Sequence, residues 1–278
     1  MSACPHTEQF LLEQLRRHPA SQLQDLRKAL YQSVFGCGHL ITDTSAAAEG
    51  IRREAAEAGP CSREIEALDG PWSRVQLGVL ADGLTPETLA CIFARSAAMP
   101  HGGADTLQEK LTVLRRLIHS GALPYSPAEA DAELDDWRKN GFPVCRHSEE
   151  YRAAYRPAYR VLHRTYVRLL PLLAAIDRAL AENPRVLLAI EGGAASGKST
   201  LADLLTAIYP DTALFHADDF FLRPEQRTAA RYAQPGGNLD RERLESEILI
   251  PISRNKAAVY RPFNCRTLSL REPVTVLP

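Results

Sequence analysis

The chain has 278 residues, of which 45% are hydrophobic and 24% charged, and its formal net charge is −1. This length can bury a sizeable core and form one large or two modest domains. The near-zero charge gives no whole-chain attraction to nucleic acid or acidic membranes. The six cysteines are scattered without a CxxC pair, and the longest uncharged apolar run, "LLPLLAAI", is far shorter than a membrane span. With no apolar secretory core at the N-terminus, we expect a cytoplasmic protein with free thiols and no membrane partner.

The first 182 residues predict a mainly helical domain, to which the sequence assigns no role. Apolar residues recur at three- and four-residue spacing, and Ser, Thr or Asp precedes most of these runs, with Ser21 as one predicted N-cap. A further long helical stretch is predicted from Ser148 to about Glu182, kinked or restarted at Pro157, which lacks an N–H. The five earlier segments are "EQFLLEQLRR", "SQLQDLRKALYQSVFG", "TSAAAEGIRREAAEA", "TPETLACIFARSAAM" and "DTLQEKLTVLRRLIHS".

The pattern changes near residue 183, where we place the boundary of a second domain, 183–278. "RVLLAI" is a short unbroken apolar run that predicts a strand buried on both faces. A glycine-rich turn, a helix ("KSTLADLLTAI") and a second predicted strand ("TALFHA") follow. This order predicts a parallel α/β sheet. The predicted fold class is therefore α/β, with a mainly helical N-terminal domain followed by an incomplete P-loop NTPase domain.

The turn between those elements matches the GxxxxGK[ST] phosphate-binding pattern without a mismatch. Small residues let backbone N–H groups curl around an anion, and the helix that begins near Lys198 points its positive end at it. Lys198 is expected to reach the outer phosphates and the Ser199 hydroxyl to hold Mg²⁺. The predicted site binds ATP or GTP with Mg²⁺. Its residues are Gly192, Gly193, Ala194, Ala195, Ser196, Gly197, Lys198, Ser199 and Thr200.

Two acids follow in "HADDFFLRPEQR", at the predicted carboxyl end of the second strand. Ligands of open α/β sheets lie outside those strand ends, so Asp218 and Asp219 are expected to face the phosphate loop. A kinase needs one carboxylate to deprotonate the acceptor hydroxyl and oxygen ligands around Mg²⁺. The alternatives are a solvated turn, a helix N-cap at Asp219, or the Walker B strand of an ATPase, for which the gap from Lys198 is short.

The ordered motifs "GGAASGKST", "HADDFF", "RYAQPGGNLDRERLESEILIPI" and "YRPFNC" resemble those of the uridine kinase-like P-loop kinases, relatives of pantothenate kinase and phosphoribulokinase. The resemblance covers about residues 185–278. It implies that Asp218 is the catalytic base and that Asp219 lies near the metal. It also implies a small-molecule acceptor site that includes Phe221, Arg223, Asp240, Tyr260 and Arg261.

The chain departs from that family in two places. Phe263-Asn264 stands where uridine kinases tend to carry a Tyr-Asp pair, which favours a small hydroxyl acceptor in general over uridine in particular. After "REPVTVLP", the family's third strand, lid arginines and adenine-contacting segment do not follow. A half-sheet leaves an edge that folded proteins normally cover. We expect a shortened gene product, an artificially truncated chain, or a partner chain or self-association that covers the edge. The chain alone is expected to be a poor kinase that still holds nucleotide.

Two features of the helical region have alternative interpretations. His39 in "FGCGHL" and His101 beside Gly102-Gly103 are each either part of a helix end or a catalytic or metal residue. Arginines recur every four residues with tyrosines one position ahead, which predicts either a solvated helix face or an anion-binding strip for a phosphorylated substrate or RNA. The arginines are Arg152, Arg156, Arg160, Arg164 and Arg168, and the tyrosines are Tyr151, Tyr155 and Tyr159.

The function predicted from these residues is transfer of the ATP γ-phosphoryl group to a small-molecule hydroxyl, such as that of a nucleoside. The alternatives are a nucleotide-binding regulatory module without turnover and an RNA-associated protein that uses the arginines. The net charge of −1 disfavours extended nucleic-acid binding.

Overall fold

The structure of the protein, a computed structural model, describes residues 5–37, 41 and 43–277. The chain divides into two compact units, Met1–Leu188 and Ala189–Pro278. Helices and short strands occur in both units, so the predicted mixed α/β class is confirmed. Over the described ranges, no helix combines the length and the apolar character that a membrane span requires.

The five helices predicted for the first part of the chain are confirmed. Their starts follow the expected capping chemistry: the Asp43 carboxylate accepts from two backbone amides of the third helix, and the Thr85 hydroxyl accepts from the Thr88 amide at 3.2 Å. The second helix begins one residue later than expected, with Gln22 rather than Ser21 as its N-cap. The helices are α1 (Pro5–Arg17), α2 (Leu23–Phe35), α3 (Thr44–Ala58), α4 (Pro86–Ala97) and α5 (Ala104–His119), and α6 (Pro127–Lys139) follows them.

The predicted helical stretch from Ser148 to Glu182 is instead divided into several elements, and that prediction is wrong. The first helix ends where Arg156 adopts a left-handed conformation (φ 42°) directly before Pro157. A strand follows, because the backbone of residues 159–163 pairs with an earlier strand. The elements are α7 (Glu149–Tyr155), β3 (Tyr159–His163), α8 (Arg164–Val167) and α9 (Leu170–Glu182).

The sheet of the first unit has three antiparallel strands in the order β1-β2-β3, where β1 is Ile65–Ala67 and β2 is Trp72–Gln76. Glu66 lies opposite Arg74, and Trp72 lies opposite His163. A 3-10 helix at Leu77–Asp82 follows β2. The main core packs the apolar faces of α1, α2, α5 and α6 together through Leu11, Leu26, Leu30, Leu111, Leu114, Leu134 and Trp137.

The second unit consists of one long helix and a series of short elements. Its strands pair antiparallel, β4 with β7 and β5 with β6, and its small core includes Phe220, Ile248, Ile252, Ala258 and Tyr260. The helices are α10 (Lys198–Ile208), α11 (Ala229–Tyr232), α12 (Arg241–Arg243) and α13 (Ile250–Ser253), with a π-helical segment at Leu244–Leu249 and 3-10 helices at Ala217–Phe220 and Pro224–Gln226. The strands are β4 (Ala258–Tyr260), β5 (Phe263–Asn264), β6 (Ser269–Leu270) and β7 (Val274–Val276).

The two strands predicted on either side of the phosphate loop are not paired into a sheet. Residues 185–190 and 212–217 carry no strand assignment, and several of their apolar side chains are exposed, Leu187 by 69% and Leu188 by 48%. A strand that is buried on both faces requires hydrogen-bonded neighbours. In the described part of the chain neither segment belongs to a sheet, and the three sheets that form there are antiparallel.

Candidate functional site

The predicted phosphate loop is an exposed turn that ends at the start of α10. Gly197 has a left-handed backbone (φ 87°) and is the residue immediately before the helix, a conformation that a Cβ disfavours. At Gly192 (φ 157°) a Cβ would lie 2.7 Å from the Ser196 Oγ. Gly192 and Gly197 therefore occupy positions that favour glycine because of their backbone conformation.

Lys198 is directed back onto this loop rather than into solvent. Its Nζ donates to the Gly192 carbonyl at 2.9 Å and to the Gly193 carbonyl at 2.8 Å, and its side chain is half-buried. The first turn of α10 also leaves backbone N–H groups without intrahelical partners. A cation and helix-terminal donors at one turn form an arrangement that suits a phosphate group.

The residues present also fit a nucleotide-bound Mg²⁺. Ser199 is exposed in the first turn of α10, next to Lys198, so its hydroxyl is available as an oxygen ligand. Over the described residues, no group of three or more His, Cys, Asp or Glu side chains could hold a metal ion. Mg²⁺ in such sites is held by one or two protein ligands together with substrate phosphates, which agrees with a single hydroxyl beside the loop.

The paired acids lie on the short 3-10 helix Ala217–Phe220. Asp218 is exposed and Asp219 is half-buried. The next residue, Phe220, is fully buried and stacks on the Tyr260 ring at 5.4 Å between ring centroids. Burial, and then the charge of Asp219, raise the pKa of Tyr260. The buried phenylalanine therefore fixes a turn that presents one carboxylate to solvent.

Asp240 has a different environment from the one that an acceptor-binding acid needs. It is 1% exposed, and its Oδ2 accepts from Gln226 Nε2 at 2.9 Å. Its Oδ1 accepts from the Arg243 amide at 3.2 Å and so caps α12. The carboxylate is thus occupied by its own fold, and we interpret Asp240 as a structural cap.

The other predicted acceptor residues surround the same small core. Phe221 forms an isolated antiparallel bridge with Leu239, and the Arg223 amide donates to the Gln226 side chain at 2.9 Å. Tyr260 is 7% exposed, whereas Arg261 is exposed and donates through Nε to the Arg271 carbonyl at 2.7 Å. The structure therefore brings together the acid-bearing turn, Asp240, Tyr260 and Arg261, while the contacts described for Lys198 run to its own loop.

A buried polar cluster in the first unit was missed by the sequence reasoning. Arg74 is 1% exposed; its Nε donates to Gln32 Oε1 at 2.8 Å and its Nη1 to Glu66 Oε2 at 3.3 Å. Burial raises the pKa of Glu66, but the hydrogen bond with His18 and the charge of Arg74 outweigh it and lower that pKa to about 2. The available signal was the Gly70-Pro71 turn: a hairpin around it places Glu66 opposite Arg74.

The other half of this cluster is centred on His147, which is 7% exposed. Burial lowers the pKa of His147 to about 4, so the ring is neutral near pH 7. Its Nδ1 lies 2.7 Å from Asp25 Oδ1 and its Nε2 2.6 Å from the Tyr159 hydroxyl. A neutral ring therefore donates to the carboxylate through Nδ1 and accepts from the phenol at Nε2. The Ser148 hydroxyl also donates to Asp25, at 2.5 Å, and the cluster links helices to the sheet.

The five arginines were predicted to lie along one helix, and that prediction is wrong. Because β3 interrupts the helix, the five arginines are distributed over α7, β3, α8 and the residues that end the two helices. Arg160 is an ordinary structural partner: its Nη2 lies 2.7 Å from Glu54 Oε2. His101 is exposed, with Nδ1 2.8 Å from the Gly102 carbonyl, while His39 lies outside the described residues.

Comparisons of the chain with protein-family models, with curated proteins and with solved structures find no match.

Proposed function

We propose that the second unit is a P-loop kinase domain that binds ATP with Mg²⁺ and transfers the γ-phosphoryl group to a hydroxyl of a small molecule, a nucleoside or a compound like it. Beyond the mixed α/β class, we propose that this unit is a uridine kinase-like domain of the parallel P-loop type. The observation that carries it is the Lys198 ammonium held over the loop carbonyls at the N-terminus of α10. A positive group, helix-terminal amides and glycines at strained positions are the elements of a phosphate site.

In this proposal the chain's residues bind and orient the two substrates and accept one proton. Lys198 exchanges its carbonyl partners for phosphate oxygens, and Asp218 accepts the proton of the acceptor hydroxyl. The acceptor oxygen forms a bond to the γ-phosphorus as the bond from that phosphorus to the β–γ bridging oxygen breaks, and ADP leaves. Asp218 suits this role because it is exposed at a turn that Phe220 fixes. Bound Mg²⁺, with the Ser199 hydroxyl as its ligand and Asp219 nearby, supplies neutralisation of phosphate charge.

Nucleotide binding tests the carrying observation directly. Lys198→Ala is expected to weaken ATP·Mg²⁺ binding, measured by titration calorimetry, by about ten- to hundredfold, because charged hydrogen bonds to phosphate are lost. Lys256 is an exposed lysine of the same unit, and Lys256→Ala is the matched control, expected to change the affinity by no more than about twofold. Equal affinities of the Lys198→Ala and wild-type proteins would contradict the proposal.

A regulatory nucleotide-binding module without turnover is the second candidate. Two observations favour it: Asp240 is occupied as a helix cap, and residues 185–190 and 212–217, which flank the loop, form no strand. A steady-state assay with ATP·Mg²⁺ and a panel of nucleosides separates the two candidates. Nucleotide binding without any product from the panel supports the regulatory module, whereas ordinary turnover that Asp218→Asn abolishes supports the kinase.

A further inference from the structure

Arg243, which the sequence reasoning did not single out, lies at the centre of the packed region around the acid-bearing turn. It is the last residue of α12 and is 9% exposed, although it carries a charge. A buried guanidinium is costly unless it is paired, so its partners indicate what the position requires.

The first contact of Arg243 is with the acid-bearing turn itself. Its guanidinium carbon lies 5.3 Å from the centroid of the Phe220 ring, the residue that follows Asp219. The Phe220 carbonyl in turn accepts from the Asp240 amide at 2.7 Å, and Asp240 caps the helix to which Arg243 belongs. Side chain and backbone therefore connect α12 to the same turn.

The second contact is with the segment that follows β4. Arg243 Nη2 donates to the Arg261 carbonyl at 2.5 Å, next to Tyr260, which stacks on the other partner, Phe220. One guanidinium group thus joins two pieces of chain that the sequence analysis assigned to catalysis and to acceptor binding.

The third contact fixes the orientation of the guanidinium plane. Glu247 accepts from Nε and from Nη2, each at 2.9 Å, and it lies in the π-helical segment Leu244–Leu249. Bidentate carboxylate pairing sets direction as well as distance. Lysine has a single ammonium and cannot reproduce this geometry. Nη1 is the remaining nitrogen, buried and without a hydrogen-bond partner among the described residues.

We propose that Arg243 is a positioning residue that holds the Asp218–Asp219 turn against the Tyr260–Arg261 segment. It thereby keeps the proposed base, Asp218, at a fixed position relative to the proposed acceptor-binding residues Tyr260 and Arg261. The catalytic meaning of this role rests on the proposed kinase function. The contacts themselves do not, and they can be tested separately.

The test compares Arg243→Met and Arg243→Lys with Arg241→Met in the full chain. Arg241 is the matched control because it is an exposed arginine of the same short helix, with Nη2 donating to Gln234 at 2.6 Å. Amide hydrogen exchange is measured at Asp219 and Asp240, which report the turn, and at Leu201, whose amide donates to the Gly197 carbonyl in α10. ATP·Mg²⁺ affinity and turnover with the same panel of nucleosides as probe acceptors are measured in these variants.

In Arg243→Met we expect exchange at Asp219 and Asp240 to accelerate about tenfold or more while Leu201 is unchanged. ATP·Mg²⁺ affinity should stay within about twofold, and kcat should fall by up to about a hundredfold without a matching rise in the KM for ATP. Arg243→Lys should show the same pattern more weakly, and Arg241→Met should resemble the wild type.

Different failures are distinguishable. Acceleration that includes Leu201 to the same extent would show that Arg243 stabilises the whole unit, and no acceleration at Asp219 would show that it does not hold the turn; either result overturns the proposal. A wild-type chain that fails to bind ATP·Mg²⁺, or that turns over none of the nucleosides in the panel, refutes the kinase function instead, and the exchange comparison still decides the role of Arg243.

Discussion

The His147 imidazole and the Asp25 carboxylate meet in the interior of the first unit, with Nδ1 and Oδ1 2.7 Å apart. The histidine is neutral there, because burial outweighs the carboxylate and lowers its pKa to about 4. The hydrogen bonds to Asp25 from His147, Ser148 and two backbone amides outweigh the effect of burial on the carboxylate and lower its pKa. The neutral His147 ring and the ionised Asp25 carboxylate therefore form one hydrogen-bonded pair.

This arrangement makes the stability of the first unit depend on pH. In the unfolded chain His147 binds a proton below its ordinary pKa of 6.5, whereas the folded state does so only below about 4. The free energy of unfolding therefore decreases as the pH falls from 6.5 towards 4, by at most about 3 kcal/mol. Both tryptophans, Trp72 and Trp137, are in this unit, so urea unfolding followed by tryptophan fluorescence reports it alone.

The matched variants are His147→Gln and His6→Gln, the second at an exposed position on α1. His147→Gln should remove most of the slope between pH 6.5 and pH 4, and His6→Gln should leave it intact. A residual slope below pH 4.5 should persist, since the Glu66 pKa of about 2 lies below its ordinary 4.5. An unchanged slope in His147→Gln would contradict this assignment.

The ion pair between Arg74 and Glu66 predicts that removing Arg74 alone destabilises the first unit more than neutralising both partners. Arg74→Met leaves the Glu66 carboxylate buried without its cation, and we expect a loss of about 3–5 kcal/mol in the free energy of unfolding. The double variant Arg74→Met/Glu66→Gln should recover part of that loss, because no uncompensated charge remains. Arg16→Met removes one of the two arginines that pair with Glu13 on the exposed face of α1 and should have little effect.

Asp240 caps α12, so we expect removal of its carboxylate to lower the stability of the second unit rather than to act only on the affinity for an acceptor. Asp240→Ala removes the acceptor of the Arg243 amide and of the Gln226 side chain, at an expected cost of about 1–2 kcal/mol. Asp240→Asn retains one acceptor oxygen and should cost less. Pulse proteolysis in urea measures both. A stable Asp240→Ala protein that has lost only affinity for an acceptor would show instead that this acid binds the acceptor.

Two glycines of the phosphate loop allow a matched comparison. Gly197→Ala places a side chain on a left-handed backbone (φ 87°) at an expected cost of about 1–2 kcal/mol, and the Leu201 amide that donates to its carbonyl should exchange faster. At Gly193 a Cβ meets no atom within 4 Å and φ is not positive, so Gly193→Ala should not change exchange. A loss of ATP·Mg²⁺ affinity in Gly193→Ala then reports the approach of a phosphate. Equal exchange in both variants would refute the strained role of Gly197.

The elements that local patterns determine were predictable. The ends of α3 and α4 follow from Asp43 and Thr85, and the loop glycines follow from a single motif. The larger misses, at β3 and at the predicted parallel sheet, involve pairing between distant residues. β3 was predicted as helix because its neighbours have helical spacing, whereas its conformation is set by hydrogen bonds to β2, about 90 residues earlier. Similarly, residues 185–190 have the composition of a buried strand, but composition cannot supply the neighbour that a strand requires.

The Gly192 and Gly193 carbonyls accept hydrogen bonds from the Lys198 ammonium group, and they would compete for it with any phosphate that binds to the loop. In the proposed site a phosphate would not meet a free ammonium but would have to replace the carbonyl partners at 2.9 and 2.8 Å, so binding would be an exchange of ligands around one cation. The net gain is the difference between two sets of hydrogen bonds, and weak anions with few oxygens gain little from the exchange. A polyphosphate chain offers several oxygens at once. Under the proposed function, the loop would therefore discriminate by the number of oxygens that an anion presents, before any base or sugar is contacted.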